Sequence, residues 1–338
     1  MAKRRLSKQQ SRRIRQKQNA SISRAGNPLE DIDEDSLGAE RHGLVTAHFG
    51  QQVQVESESE RLRCYMRANV TAVVTGDQVV WREADKIGVV ESVLPRKSLL
   101  QRPDSYGNLK PVAANIDQIL ITIAPQPEYH HNLIDRYLVS AELQDIEPVL
   151  LINKLDLIDT DSPDASPTVQ ETIQQYSDLG YRVVQVSAKQ NENIDELKHL
   201  LQGKTSIFVG QSGVGKSSLI KRLLPSEEIL IGDLSEATKG RHTTTHSQLY
   251  HFIDGGNCID SPGIREFGLW HLDAEQVIYG FRELRKFTDK CKFRNCSHTS
   301  EPQCALQLAL EHNTISAQRF DSYQRIVSTI NDVTIKQH

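Results

Sequence analysis

Apolar and polar positions follow three rhythms along this chain. Between residues 43 and 94, the stretches "GLVTAHF", "QQVQVE", "RLRCYM", "DQVVWR" and "GVVESVL" are short, rich in β-formers or alternating, and broken by Gly, Asp and Ser-Glu turns. Strands so closely spaced, with no helical period between them, predict a small closed or nearly closed barrel; an OB-fold, an SH3-like barrel and a bare meander all share that pattern. From residue 115 to 268 the texture changes. "IDQILITIA", "PVLLIN", "YRVVQVSA" and "TSIFVG" are apolar and β-branched, as strands covered on both faces of a parallel sheet are. Helical segments such as "NLIDRYLVSAELQ" and "VQETIQQYSDLG" separate them, the second ending at Gly180, where a C-cap is expected. The alternation predicts a doubly wound α/β domain. Beyond residue 269 the pattern is mostly helical and closes in the amphipathic stretch "ISAQRFDSYQRIVSTI".

The 338 residues exceed one ordinary domain, and 25% charged with 38% apolar residues is a soluble globular composition. The net charge of -4 hides a polar asymmetry. Lys3, Arg4, Arg5, Lys8, Arg12, Arg13, Arg15, Lys17 and Arg24 crowd the first 25 residues, which contain no acid, and the acidic run "EDIDEDSLGAE" follows. Such an arm is expected to be disordered and to sit on polyanions, and its arginines suit nucleic-acid phosphate. It has no apolar core of the kind a secretory signal needs. No run elsewhere approaches the roughly 18 apolar residues of a membrane span, so the chain is read as cytoplasmic with no membrane partner.

Three of the five cysteines cluster with a histidine in "CKFRNCSHTSEPQC". Cys291, Cys296, His298 and Cys304 are four soft or borderline donors, the set that tetrahedral Zn2+ takes in a closed structural site. Cys64 and Cys258 have no such neighbours and read as small buried hydrophobes.

"GQSGVGKSS" follows a strand and opens a helix, the context of a phosphate-binding loop. Gly210, Gln211, Ser212, Gly213, Val214, Gly215, Lys216, Ser217 and Ser218 form it. Its backbone N–H groups surround the β-phosphate, Lys216 reaches the β- and γ-oxygens, and the Ser217 hydroxyl ligates Mg2+. About fifty residues earlier stands "NKLD". Asp156 is suited to accept from two guanine donors, Asn153 to meet the purine edge and Lys154 to cover the ring, with Leu155 between them. Ser187, Ala188 and Lys189 form a second base loop at the next strand end, its backbone meeting the guanine carbonyl. Downstream, Thr243 and Thr244 in "KGRHTTTH" sit where a first switch offers a hydroxyl to Mg2+. Asp260 and Gly263 in "DSPG" fit the element that holds the metal through water and senses the γ-phosphate. The order is base loop, base loop, phosphate loop, switch one, switch two, a cyclic rotation of the usual one.

With these motifs behind a barrel and before the cysteine cluster, the chain resembles the RsgA (YjeQ) family, bacterial circularly permuted GTPases that depend on the small ribosomal subunit. The resemblance covers roughly residues 40 to 335. It implies an OB-fold β-barrel, a circularly permuted α/β P-loop GTPase domain and a mostly helical C-terminal zinc-binding domain. The expected boundaries are 1–40 for the arm, 41–110 for the barrel, 111–269 for the GTPase domain and 270–338 for the zinc domain. It further implies a monomer that hydrolyses GTP to GDP slowly alone and faster on the 30S subunit, assisting late 30S maturation through contact with 16S rRNA. The residue after "DSPG" is Ile264, which cannot hydrogen-bond a water, so His242 is the candidate for orienting the attacking water. Competing readings are a GTP-gated RNA-binding module without turnover, a permuted GTPase of large-subunit assembly, and a P-loop kinase. The kinase would not need Asp156 or the second base loop.

Overall fold

A computed structural model describes residues 37–336, apart from 59, 71, 85–86, 105–107, 159–166, 226–246, 261–268 and 270–271. The basic arm lies outside the described residues. The expected barrel strands are β1 (Arg41–Phe49), β2 (Gln52–Ser57), β3 (Glu60–Met66), β4 (Gln78–Ala84) and β5 (Ile87–Val93). They close in the order β1-β2-β3-β5-β4, with β4 pairing back onto β1. The β3–β5 pair is parallel, which a meander with its purely antiparallel neighbours does not contain, and the ring is the OB-fold. Alternate residues fill it: Val53 and Val55 of β2 point inward with Val45, Cys64, Val79, Trp81 and Val90.

A hairpin of β6 (Leu99–Pro103) and β7 (Leu109–Ala114) forms a separate two-stranded sheet that was not read from the sequence. Its strands carry Pro103 and Pro111 and show no clean alternation, and one isolated parallel bridge, Thr75 with Ala113, joins the hairpin to the barrel.

The α/β domain runs β8 (Gln118–Ile123), α1 (His131–Glu142), β9 (Glu147–Ile152), α2 (Pro167–Asp178), β10 (Arg182–Gln185), α3 (Ile194–Leu201), β11 (Thr205–Val209), α4 (Lys216–Leu223), β12 (Gln248–His251) and β13 (Asn257–Asp260). The strand order is β10-β9-β8-β11-β13-β12, with β12 alone antiparallel. Central β8 is buried at all six positions. Ile119, Ile121 and Ile123 join one core with α1 and α2, while Leu120 joins the other with α3 and α4, the period-two division of a strand covered on both faces. Gly180 ends α2 at φ +80° as expected of a C-cap, and both isolated cysteines are buried.

The C-terminal part holds α5 (Ala274–Tyr279), a 3-10 turn over Leu284–Lys290, α6 (Ala305–Glu311) and α7 (Ala317–Lys336). Asp273 caps α5, its carboxylate taking the Gln276 N–H while the Gln276 side chain accepts from Asp273 N–H. Phe281, Leu284, Leu306, Phe320, Tyr323 and Ile326 pack together with Val139 of α1, so this core is shared with the α/β domain. No helix among the described residues is long and apolar enough to cross a membrane.

Candidate functional site

The phosphate loop joins β11 to α4. Its backbone has positive φ at Gly210, Gly213 and Gly215, and at Gly215, the N-cap of α4, a Cβ would stand 2.3 Å from Asn153 Nδ2. Glycine is therefore required there for a contact as well as a dihedral angle. Asn153 Nδ2 donates to Val214 O at 2.9 Å, and Asn153 Oδ1 accepts from Ala188 N at 3.1 Å. One buried amide thus ties the phosphate loop to both base loops. Within the second base loop, the Ala188 N–H is the group that meets Asn153.

Asp156 lies in the 3-10 turn Leu155–Leu157 after β9, its side chain 4% exposed. Ser187 Oγ donates to its Oδ1 at 2.6 Å and in turn accepts from Gln190 N at 3.1 Å, while Lys189 Nζ stands 3.7 Å from Oδ2. The Ser187 hydrogen bond, with the Lys189 charge adding, holds the Asp156 carboxyl below the usual carboxylate range. The loop offers an ionised, oriented acceptor pair, the chemistry that adjacent N–H donors on guanine need. Reciprocal backbone hydrogen bonds between Ser187 and Glu192 close the second loop.

Lys216 Nζ donates to Gly210 O and Gln211 O, both at 2.7 Å, which keeps the ammonium over the loop. Val214 is fully buried, and Leu155 packs against the core. Ser212, Ser217 and Ser218 face solvent on the first turns of the loop and helix. Asp260 is exposed at the end of β13, beside β11, so it and Ser217 share the carboxyl edge of the sheet. Their hard oxygens suit Mg2+. His242, Thr243, Thr244 and Gly263 lie outside the described residues.

Sequence reasoning missed the segment at residues 126–128. Lys154 Nζ donates to Gln126 O at 2.8 Å, and Gln211 Nε2 donates to Glu128 O at 2.8 Å and Pro127 O at 3.3 Å. Both contacts use backbone carbonyls, which carry no residue-type signal.

Cys291, Cys296, His298 and Cys304 bring their ligand atoms within 4.8 Å of one another. Cys291 Sγ stands 3.9 Å from Cys304 Sγ, and His298 Nδ1 stands 3.5 Å from each. These are tetrahedron edges: ligand bonds of about 2.3 Å to sulfur and about 2.0 Å to nitrogen place donors about 3.5–3.8 Å apart. A disulfide needs about 2.05 Å, and none is present among the described cysteines. Burial lowers the His298 imidazole pKa, favouring the neutral form a metal takes. The loop between His298 and Cys304 is shaped by Glu301, which accepts from Ser297, Thr299 and Ser300 backbone N–H groups and is drawn down to a pKa of about 2 by the Ser297 hydroxyl and those amides. The donor set and its spacing fit Zn2+.

A second missed cluster joins this module to the nucleotide domain. Arg319 of α7, fully buried, donates to Glu283 Oε1 at 2.7 Å and Oε2 at 3.2 Å, and to Asp135 of α1. Tyr176 Oη donates to the same Asp135 oxygen at 2.6 Å. In sequence, Arg319 passes for one more polar residue of an amphipathic helix.

A model of the RsgA GTPase family matches residues 93–270. The small ribosomal subunit biogenesis GTPase RsgA of Saccharophagus degradans is 53% identical over 345 residues, covering 99% of this chain and all of that one. Its counterpart in Hahella chejuensis is 49% identical, with 100% and 99% covered. Among solved structures, YjeQ from Thermotoga maritima aligns with a TM-score of 0.68 and 35% identity over 86% of this chain and 99% of its own. YloQ, described as a circularly permuted GTPase, aligns at 0.67 and 30% over 89% and 98%.

Proposed function

The chain belongs to the RsgA GTPase family, and from that premise we propose how its loops divide the work of GTP hydrolysis in small-subunit biogenesis. It is a GTP-hydrolysing enzyme of 30S maturation. The observation that carries the residue assignment is the Asn153 brace, which joins three loops scattered over sixty residues of sequence into one cradle. In it Asp156, fixed by Ser187, accepts from guanine, and the second Nδ2 hydrogen of Asn153 faces the purine edge. The Lys154 stem covers the ring. The amides of residues 213–217 and Lys216 hold the phosphates.

Mg2+, when bound, would supply neutralisation of phosphate charge. Ser217 and Asp260 are the described residues that would hold it, with Thr243 or Thr244 completing the set and Gly263 sensing the γ-phosphate. His242 orients the attacking water in place of the side chain that Ile264 lacks. One Zn2+ on Cys291, Cys296, His298 and Cys304 is structural, since four protein donors leave no open position. The division at 41–110, 111–269 and 270–338 follows these three tasks. The exposed Lys286, Lys290, Lys292 and Arg294 beside the zinc ligands, with the basic arm, contact 16S rRNA. The protein acts as a cytoplasmic monomer.

The test is GTP turnover titrated with purified 30S and, separately, 50S particles. Acceleration by 30S alone is expected, and His242→Ala should remove it while GTP affinity stays at the parent value. No turnover with either particle would leave a GTP-gated binder, and acceleration by 50S would move the protein to the large subunit.

A further inference from the structure

The barrel and the nucleotide sheet are one sheet. β1 pairs antiparallel with β12, Ala47 opposite Gln248, and β12 pairs with β13, Gln248 opposite Asp260. A single row therefore runs from the barrel wall to the carboxylate assigned to the metal. Two further contacts clamp β12. At its start, the buried Thr75 donates from Oγ1 to Ser247 O at 3.1 Å. At its end, Glu56 Oε1 of β2 stands 2.7 Å from His251 Nε2, while His251 Nδ1 meets Asn257 Oδ1 of β13 at 2.7 Å. The barrel also touches β13 directly. At Gly76, φ +93°, a Cβ would lie 2.2 Å from Ala114 O and 3.1 Å from Ile259 Cδ1, and Ile259 is the residue before Asp260. Asp77, beside it, is held by Arg96 through two hydrogen bonds of 2.6 and 2.8 Å.

We infer that the barrel is a positioning element of the hydrolytic site: Thr75 and Glu56 fix β12, and through the Gln248–Asp260 pair they set where the Asp260 carboxylate stands. This rests on the assignment of Asp260 to the magnesium side. The physical reason is stiffness. The β12–β13 ribbon has four paired positions, and the two pairs of β13 with β11 stop at Cys258, short of Asp260, so the barrel closed on itself provides a rigid wall on the β12 side. The barrel is thus a working part of the enzyme.

The experiment uses the full chain and two readouts, Mg2+ titration of a fluorescent GTP analogue's binding signal, and kcat and KM at saturating Mg2+. Thr75→Val keeps the shape and removes the donor. It should raise the Mg2+ concentration at half-signal by about threefold or more and lower kcat similarly, the scale of one lost hydrogen bond. KM for GTP should stay within about twofold, because the base and phosphate loops are untouched. Thr75→Ser should restore the parent values, which a general packing loss would not permit. Glu56→Gln, on a partly exposed side chain, should shift the Mg2+ midpoint in the same direction, and decides the matter if Thr75→Val melts early. Unchanged Mg2+ midpoints in both variants overturn the inference and leave the barrel as scaffold. A parent whose GTP signal ignores Mg2+ would remove Asp260 from the metal side, and the inference with it.

Discussion

Asp156 shows how much one side chain depends on the group behind it. In the role proposed for it, the carboxylate reads guanine only while ionised and aimed, and the Ser187 hydroxyl favours both. Asp156→Asn places an amide donor against guanine donors, so GTP affinity should fall on the order of a hundredfold or more by calorimetry with the melting temperature unchanged. The pH dependence has a definite sign. Because the folded pKa is depressed, the ionised acceptor persists through the ordinary carboxylate range. GTP binding by the parent should hold as pH falls and fail only through that lowered value. Ser187→Ala should move the failure to higher pH. Undiminished GTP binding by Asp156→Asn would place base recognition elsewhere.

At the scale of elements, what could be read in advance was what is locally periodic. The barrel strands, the two helices before Gly180, and the strand ends carrying the loops all announce themselves within a dozen residues. The joints do not. Thr75 meets Ser247 across 172 residues and Arg319 meets Asp135 across 184, and neither contact leaves a periodic trace in the sequence between. The Arg319 cluster is where α7 is secured to α1, helped by Asn132 Nδ2 donating to Ser322 O and Arg136 to Thr329 Oγ1. Arg319→Ala leaves two buried carboxylates without their cation, and unfolding in urea should show a loss of about 3–5 kcal/mol. Lysine should not rescue it, since a point charge cannot serve Asp135 and the two oxygens of Glu283 at once. A loss below about 1 kcal/mol would mean that the apolar core around Phe281 and Tyr323 holds α7 unaided.

For the whole molecule, the rotated chain order makes the proposed switch two the last element of the nucleotide domain, leading straight into the cysteine–histidine module. Binding to 30S should therefore be tighter with a non-hydrolysable GTP analogue than with GDP, compared at one salt concentration. Replacing Cys291 and Cys296 together should shrink the difference. Equal affinities in the two nucleotide states of the parent would leave the zinc module a static anchor. The continuous sheet described above carries a further cost for any shortened version of the protein. On one side the border of the parallel core is the barrel itself, with β1 meeting β12 at the Ala47–Gln248 pair, while β10 forms the other border. Remove residues 1–95 and β12 becomes an open edge, bare N–H and C=O groups offered to any passing strand. Such a truncated chain should self-associate in a concentration-dependent way, visible by light scattering. A lysine at Leu249 would not cure it, because that side chain points into the core, whereas a proline at Gln248 would remove the backbone donor on which strand addition depends.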